Sequence, residues 1–222
     1  MGAAASAAGL ASIRTGFHYA RFSEVAVLPA EGDVQPAAWP AVLFDKHLLS
    51  PPALYPGGST QSPVERNDFN GVMGCAFTLE KAVSVVDLGR FASGRNASGT
   101  HALTLLRAST KAVLANASVD LATAVPDLNG YAWGKLHSPV ALPAGERLYI
   151  VSEEVKGGDS FFGEITMVQG SPGALSGFAT PVYQQEGGVW SDLGASKADN
   201  DPGFSSGHCY GPLNLMLSAA IV

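Results

Sequence analysis

The sequence predicts an all-β fold, an antiparallel β-sandwich of the jelly-roll or immunoglobulin-like type, with an extended proline-rich segment at its amino terminus. Short stretches alternate between apolar and polar residues with a period of two, which buries one face of a strand. Gly, Pro, Asn and Ser separate these stretches, and none carries a capped helical stripe of useful length. Many short strands joined by such turns are typical of sandwiches.

The alternation places the strands one by one. In MGCAFTL, the apolar residues Met73, Cys75, Phe77 and Leu79 alternate with small or polar ones, and the stretches AVLANASVDL and PLNLMLS repeat the pattern. In chain order, strands are predicted at residues 73–79, 83–91, 101–108, 112–121, 131–140, 147–154, 162–168, 180–185 and 212–218.

The first part of the chain has a different composition. After an alanine-rich leader, prolines crowd the segment from Pro29 to Pro63, which ends in YPGGSTQSP. Proline removes backbone donors and glycine loosens the chain, so this segment is predicted to be extended. We place the boundary near Ser62, with a leader and extended segment over residues 1–62 and the sandwich over residues 63–222.

Composition limits the function. The hydrophobic fraction is 46% and the charged fraction 14%, which indicates a globular protein. The formal charge is −6 without a Lys/Arg cluster, so nucleic acid is not an expected partner. No apolar run approaches the roughly 20 residues that a membrane span needs.

Several motifs together resemble a known family. In order they are RNDFNGVMGCAFTL, VVDLGRF, SGTHALTLLRAST, PVALPAGERLYIVSEEVKGGDSF and GHCYGPLNL. Over about residues 65–217 the chain resembles a β-sandwich accessory domain that recurs in large secreted bacterial multidomain proteins, often beside glycoside-hydrolase or immunoglobulin-like modules. The resemblance implies a secreted or cell-surface location and carbohydrate binding, without catalytic residues.

The stretch SEEVKGGD allows two interpretations. Gly157 and Gly158 suit a tight turn with positive φ, which favours solvated turn charges and a purely structural role. Alternatively Glu154 and Asp159, with Asp68 beside Asn67, supply the oxygen ligands that Ca²⁺ prefers, although no EF-hand spacing is present. The turn is favoured, Ca²⁺ remains the alternative, and no other cofactor is expected.

Signatures of catalysis are weak. GFSSG around Ser205 matches a nucleophile elbow, but a proline-bearing loop precedes it and a strand is predicted after it. Glu153 and Glu154 are neighbours on one strand and point to opposite faces, so they cannot flank one glycosidic bond. His101 opens a strand, where a hydrogen bond to a loop is the favoured role. We therefore expect no enzymatic activity.

Carbohydrate recognition uses flat aromatic faces with a few polar neighbours. The predicted ligand-binding residues are Trp190, Trp133, Tyr131, Phe161, Arg90 and Asn67. Trp190 lies in a polar, glycine-rich segment and is expected to be the most exposed. Trp133 and Tyr131 share one strand face, which suits either a binding platform or the sandwich core.

The cysteines and the glycosylation sequons indicate the cellular compartment. If the first and last strands pair, Cys75 and Cys209 come within bonding reach and a disulfide is predicted, with two buried free thiols as the alternative. The sequons at Asn96 and Asn116 favour a secreted glycoprotein.

Together these expectations describe a non-catalytic extracellular recognition module that binds carbohydrate or a cell-surface polymer through loop aromatics. The alternative is a structural subunit of a larger surface assembly, self-associating, in which the amino-terminal extension wraps a neighbour. Lightly charged strands suit packing against other copies.

Overall fold

Alternation between apolar and polar side chains is the local pattern that underlies the strands. The computed structural model describes residues 41–49, 53–54, 60–61, 65–92, 99–169, 175–176, 179–193, 208–211 and 213–218. All of these residues lie in one compact unit, Ala38–Val222. Within these ranges no helix has the length and apolar character that a membrane span requires.

The described residues form sixteen strands. They are β1 (Ala41–Val42), β2 (Phe44–Leu49), β3 (Ala53–Leu54), β4 (Thr60–Gln61), β5 (Glu65–Arg66), β6 (Gly71–Thr78), β7 (Val83–Phe91), β8 (Thr100–Arg107), β9 (Val113–Asp120), β10 (Tyr131–Leu142), β11 (Arg147–Glu154), β12 (Phe161–Gln169), β13 (Thr180–Gln185), β14 (Trp190–Asp192), β15 (His208–Gly211) and β16 (Leu213–Leu217).

The strands form three larger sheets, in which every pairing is antiparallel. The first sheet has the order β1-β16-β7-β10, and the six-stranded sheet has the order β14-β13-β6-β11-β8-β9. The third sheet has the order β15-β12-β2, with β5 also on β12, and β3 pairs with β4. The predicted all-β antiparallel sandwich is confirmed.

The main core lies between the first sheet and the six-stranded sheet. Leu88 and Leu215 enter it from the first sheet, and Phe77, Leu105 and Ile150 enter it from the six-stranded sheet. All five side chains are fully buried. Each such side chain contributes about 1.5–3 kcal/mol through removal from water, so this layer dominates the stability of the sandwich.

The six-stranded sheet is also apolar on its opposite side, which we call the second face. Along β11, Leu148 and Ile150 belong to the main core, whereas Tyr149 and Val151 belong to a separate buried cluster. Successive side chains of a strand point to opposite sides, so this cluster covers the second face. Val182 of β13 is also part of it.

Strands from before Ser62 take part in the sheets. β1 pairs with β16, and β2 pairs with β12. Leu43 and Phe44 are buried in the main core, and Phe44 exchanges two hydrogen bonds with the Asn214 side chain, at 3.0 and 2.8 Å. The sandwich thus includes strands from the segment assigned to the extension, while Ser62 itself and residues 1–40 lie outside the described ranges.

The predicted disulfide is not formed. Cys75 and Cys209 are free, fully buried thiols. The assumed pairing of first and last strands is also wrong, because β6 and β16 lie in different sheets. The cysteines are nevertheless close, since the Cys75 Sγ lies 4.0 Å from the carbonyl oxygen of Tyr210, the residue after Cys209. They pack as small apolar side chains.

Candidate functional site

An ion pair is buried between the two facing sheets. Arg90 lies on β7 and Glu154 at the end of β11, and their side chains are 3% and 2% exposed. The Arg90 Nε donates to Glu154 Oε1 at 3.1 Å and Nη2 donates to Oε2 at 2.9 Å. Nη2 also donates to the Ser160 carbonyl at 3.3 Å. The guanidinium therefore holds both ends of the connection from β11 to β12.

A histidine extends this pair into a network. His101 Nε2 lies 3.0 Å from Asp159 Oδ2, and His101 Nδ1 lies 3.0 Å from the Glu153 carbonyl oxygen and 3.7 Å from Glu154 Oε2. The Gly99 amide donates to Asp159 Oδ2 at 2.7 Å. We call Arg90, His101, Glu154 and Asp159 the buried polar network. The expected hydrogen bond from His101 to a neighbouring loop is confirmed.

The network fixes a turn. Gly157 has φ +81° and its amide donates to the Asn67 carbonyl at 2.7 Å. Such a φ suits glycine, as the turn interpretation of SEEVKGGD requires. Glu154 faces inward while Glu153 is exposed. All four side chains of the network are buried, so the network offers little accessible surface to a substrate.

The three carboxylates proposed as Ca²⁺ ligands have separate partners. Glu154 binds Arg90, Asp159 binds His101, and Asp68 binds Arg66 at 2.9 Å. The hydrogen bond from Arg66 lowers the pKa of the exposed Asp68 carboxyl. In the part of the chain that the structure describes, no group of three His, Cys, Asp or Glu is placed to hold a metal ion. Dependence on Ca²⁺ stays a prediction.

Most of the predicted ligand residues do not meet. Tyr131, Phe161 and Arg90 are buried. Asn67 is exposed at the turn just described. Trp133 is half-buried on β10 in the first sheet, where its Nε1 donates to Asp127 at 2.9 Å.

Trp133 also lies against the backbone of a neighbouring strand. A Cβ on Gly89 of β7 would come within 2.6 Å of the Trp133 ring, so the glycine makes room for it. The Tyr131 ring also lies 5.7 Å from the Trp133 ring. The Trp133 position suits packing better than recognition.

Trp190 has a different environment, on the second face. It begins β14, the edge strand, and its ring lies 5.5 Å from that of Tyr149 at an interplanar angle of 37°. Tyr149 is on β11, three strands away in the sheet, so the two rings meet above the intervening strands β13 and β6. Tyr149 is buried and Trp190 is half-buried, which leaves Trp190 as the accessible member of the pair.

Apolar residues continue from this pair across the whole sheet. Ala76, Tyr149, Leu106 and Val113 pair in one row across β6, β11, β8 and β9. Val182 and Trp190 extend this row diagonally over β13 and β14, and we call the six residues the apolar band. Val113 at the far edge is 57% exposed. Neighbouring strands lie about 4.8 Å apart, so a band across six strands is about 24 Å long, which is the scale of several sugar rings.

Charged and polar groups line the band. Arg147 donates to both oxygens of Asp192 at 2.7 Å and to the Thr180 hydroxyl at 2.7 Å. The hydrogen bond to Asp192 raises the pKa of Arg147. Burial, together with a hydrogen bond to Asp192, raises the pKa of Tyr149 to about 12. The Tyr149 phenol therefore stays neutral at physiological pH.

Lys111 lies over the aromatic pair. Its Nζ is 4.7 Å from the Tyr149 ring centroid and 5.9 Å from that of Trp190, within the range of a cation–π contact. The sequence interpretation identified Trp190 but missed Lys111, Tyr149 and Arg147. The sequence does contain a signal for a second buried face, because the apolar run from Leu148 to Val151 is continuous, as in a strand that is buried on both faces.

One of the two sequons lies on the second face. Asn116 is exposed on β9 and pairs with Thr104, which in turn pairs with Val151 of the second face. Asn96 lies outside the described residues. Glycosylation of either residue stays a prediction.

Comparison with known proteins does not assign this chain to a family. The chain matches no protein-family model, and no curated protein matches it significantly.

Proposed function

We propose that the protein is a non-catalytic recognition module, secreted or at a cell surface, which binds a carbohydrate or another surface polymer along the apolar band. The observation that carries this proposal is the stacked pair of Tyr149 and Trp190, 5.5 Å apart on the second face. The half-buried Trp190 offers a ring that is held by its neighbour yet accessible from outside.

The physical argument concerns preorganisation. A sugar presents an apolar ring face and a rim of hydroxyls, which matches an aromatic ring beside fixed polar groups. Arg147, Asp192 and Thr180 are locked together by hydrogen bonds at 2.7 Å. Groups that are already held in place lose little conformational entropy when a ligand binds. A band across six strands is also long enough to contact several sugar rings of a polymer.

A glycan-array screen of the purified chain tests the proposal, run once with Ca²⁺ and once with chelator. We expect specific binding that Trp190→Ala reduces at least tenfold while the circular dichroism spectrum is unchanged. Trp133→Ala is the matched control, since Trp133 is also a half-buried tryptophan but belongs to the first sheet. It should retain binding.

Two results would count against the proposal. The first is an array without any specific ligand in either condition. The second is binding that survives Trp190→Ala and is lost in Trp133→Ala, which would move the site to the other sheet. Binding that disappears only in chelator would add the predicted Ca²⁺ requirement to the proposal.

A structural subunit is the second candidate function, and the edge strand β9 favours it. Among the described residues β9 pairs only with β8, and it is eight residues long. Its exposed Val113 is apolar, and it carries no proline or lysine of the kind that discourages edge-to-edge pairing. A second copy, or another subunit, has an unpaired backbone edge to join.

Light scattering distinguishes this candidate. Assembly through β9 predicts an oligomer that Val113→Lys dissociates. Assembly through a wrapping extension predicts dissociation when residues 1–37, which precede the unit Ala38–Val222, are deleted. A monomer at high micromolar concentration that binds glycan would favour the recognition module alone.

A further inference from the structure

Lys111 has an unusual backbone conformation. Its φ is 60°, and it is the only non-glycine residue with positive φ in the described part of the chain. The left-handed region costs an ordinary L-residue roughly 1–2 kcal/mol, and glycine or asparagine adopts it more easily. A lysine here therefore calls for an explanation other than stability of the turn.

The hairpin between β8 and β9 imposes this conformation. The Lys111 amide donates to the Arg107 carbonyl at 2.8 Å, and the Arg107 amide donates to the Ala112 carbonyl at 2.9 Å. The consequence is that the Lys111 side chain turns back over the sheet. Its Nζ donates to the Ala108 carbonyl and lies over Tyr149 and Trp190.

The Lys111 charge is not compensated. The neighbouring cations Arg107 and Arg147 pair with Glu146 and Asp192. Among the described residues, no carboxylate forms an ion pair with Lys111, whose Nζ contacts two aromatic rings and a backbone carbonyl, all of them neutral. The apolar band thus carries one positive charge on a chain whose formal net charge is −6.

We propose that Lys111 makes the site selective for acidic saccharides, with the carboxylate of a uronic acid bound to the Lys111 ammonium while the sugar ring packs on Trp190. This inference rests on the proposed function and names its ligand class. The ammonium has donor capacity beyond the Ala108 carbonyl. A charge-assisted hydrogen bond to a carboxylate is roughly twice as strong as a neutral one.

The central comparison of the test is between each acidic polymer and its own methyl ester, which lacks the charge. Polygalacturonate, alginate and hyaluronan are immobilised beside their methyl-esterified forms and beside neutral polysaccharides. We expect binding to at least one acidic polymer, at least tenfold weaker binding to its ester, and weakening with added salt. The screen covers three uronic acid polymers because the sugar stereochemistry is not specified by a single cation.

Variants separate charge from folding. Lys111→Met removes the charge and keeps an unbranched stem, and Lys111→Gly also removes the left-handed strain. Both should lose acidic-polymer binding at least tenfold, although Lys111→Gly keeps or gains thermal stability. Lys135→Met, a matched charge change at an exposed lysine of the first sheet, should retain binding.

The outcomes are distinguishable. Equal binding to an acidic polymer and its ester, unaffected by Lys111→Met but lost in Trp190→Ala, would overturn the role of Lys111 and keep the proposed function. Binding to neutral polysaccharides alone would also overturn the role of Lys111 and keep the proposed function. Absence of binding to every polymer, acidic or neutral, would overturn both.

Discussion

Arg90 and Glu154 form a bidentate ion pair that joins the two facing sheets through the core. The bonds measure 3.1 and 2.9 Å, and the residues lie 64 positions apart in the sequence. Burying two charges carries a desolvation cost that only close pairing and further hydrogen bonds offset. Arg90 has such further bonds to the Phe91 and Ser160 carbonyls, both at 3.3 Å.

Glu154→Gln should therefore destabilise the protein strongly. The amide leaves the Arg90 charge buried without a counter-charge, and loss of one partner of a buried pair costs about 3–5 kcal/mol. Urea denaturation measures the free energy of unfolding. Asp68→Asn is the matched control, because the Asp68–Arg66 pair is exposed and its loss should change the stability little. Similar losses in both variants would contradict a special role for the buried pair.

Asp159→Ala should loosen the segment before β8. Asp159 Oδ2 accepts a hydrogen bond from the Gly99 amide at 2.7 Å and contacts His101 Nε2 at 3.0 Å. Each buried donor left without an acceptor costs about 1–3 kcal/mol. We expect faster amide hydrogen exchange at Gly99 and lower stability, both partly restored in Asp159→Asn, which keeps an oxygen acceptor. Unchanged exchange at Gly99 in Asp159→Ala would show that the contact does not hold the segment.

The sequence predicts the strands well, because alternation is a local signal. The intervals 83–91, 147–154 and 180–185 coincide with β7, β11 and β13. The strands β1 and β2 were missed, since the surrounding prolines outweighed the proline-free run from Ala41 to Leu49. Strand formation is set by the residues of the segment itself. A proline therefore argues against a strand at its own position, and not in the proline-free residues beside it.

The candidate site is much less predictable, since it depends on strand order. Tyr149 and Trp190 meet because β11 and β14 lie on the same sheet, with β6 and β13 between them. Periodicity indicates which side of a strand a residue faces, but not which strand lies beside it. For the same reason the sequence predicts one ligand site containing both Trp133 and Trp190, although they belong to different sheets.

The two cysteines should be unreactive in the native protein. Both are free and fully buried, and burial, followed by the interaction with Cys75, raises the pKa of the Cys209 thiol well above its usual range. The thiolate is the reactive form, so we expect almost no reaction with Ellman's reagent in the native protein. Two equivalents should react in guanidinium chloride without added reductant. No reaction in the denatured protein would mean that the cysteines are disulfide-bonded after all.

Tyr149 should make stability fall at alkaline pH. Its pKa is raised from 10.0 to about 12, by burial first and then by the hydrogen bond to Asp192. Between these values the unfolded tyrosine loses its proton while the native one keeps it. The unfolded state then binds fewer protons, and the free energy of unfolding decreases as the pH rises. Below pH 10 this contribution is constant.

The Tyr149→Phe variant isolates this contribution, because phenylalanine does not ionise. Urea denaturation of both proteins at several values between pH 9 and pH 12 should show a steeper loss of stability in the wild type. The difference should begin near pH 10 and level off near pH 12, the two pKa limits. Parallel pH profiles would mean that the Tyr149 phenol ionises equally in both states, so that burial on the second face is not maintained at alkaline pH.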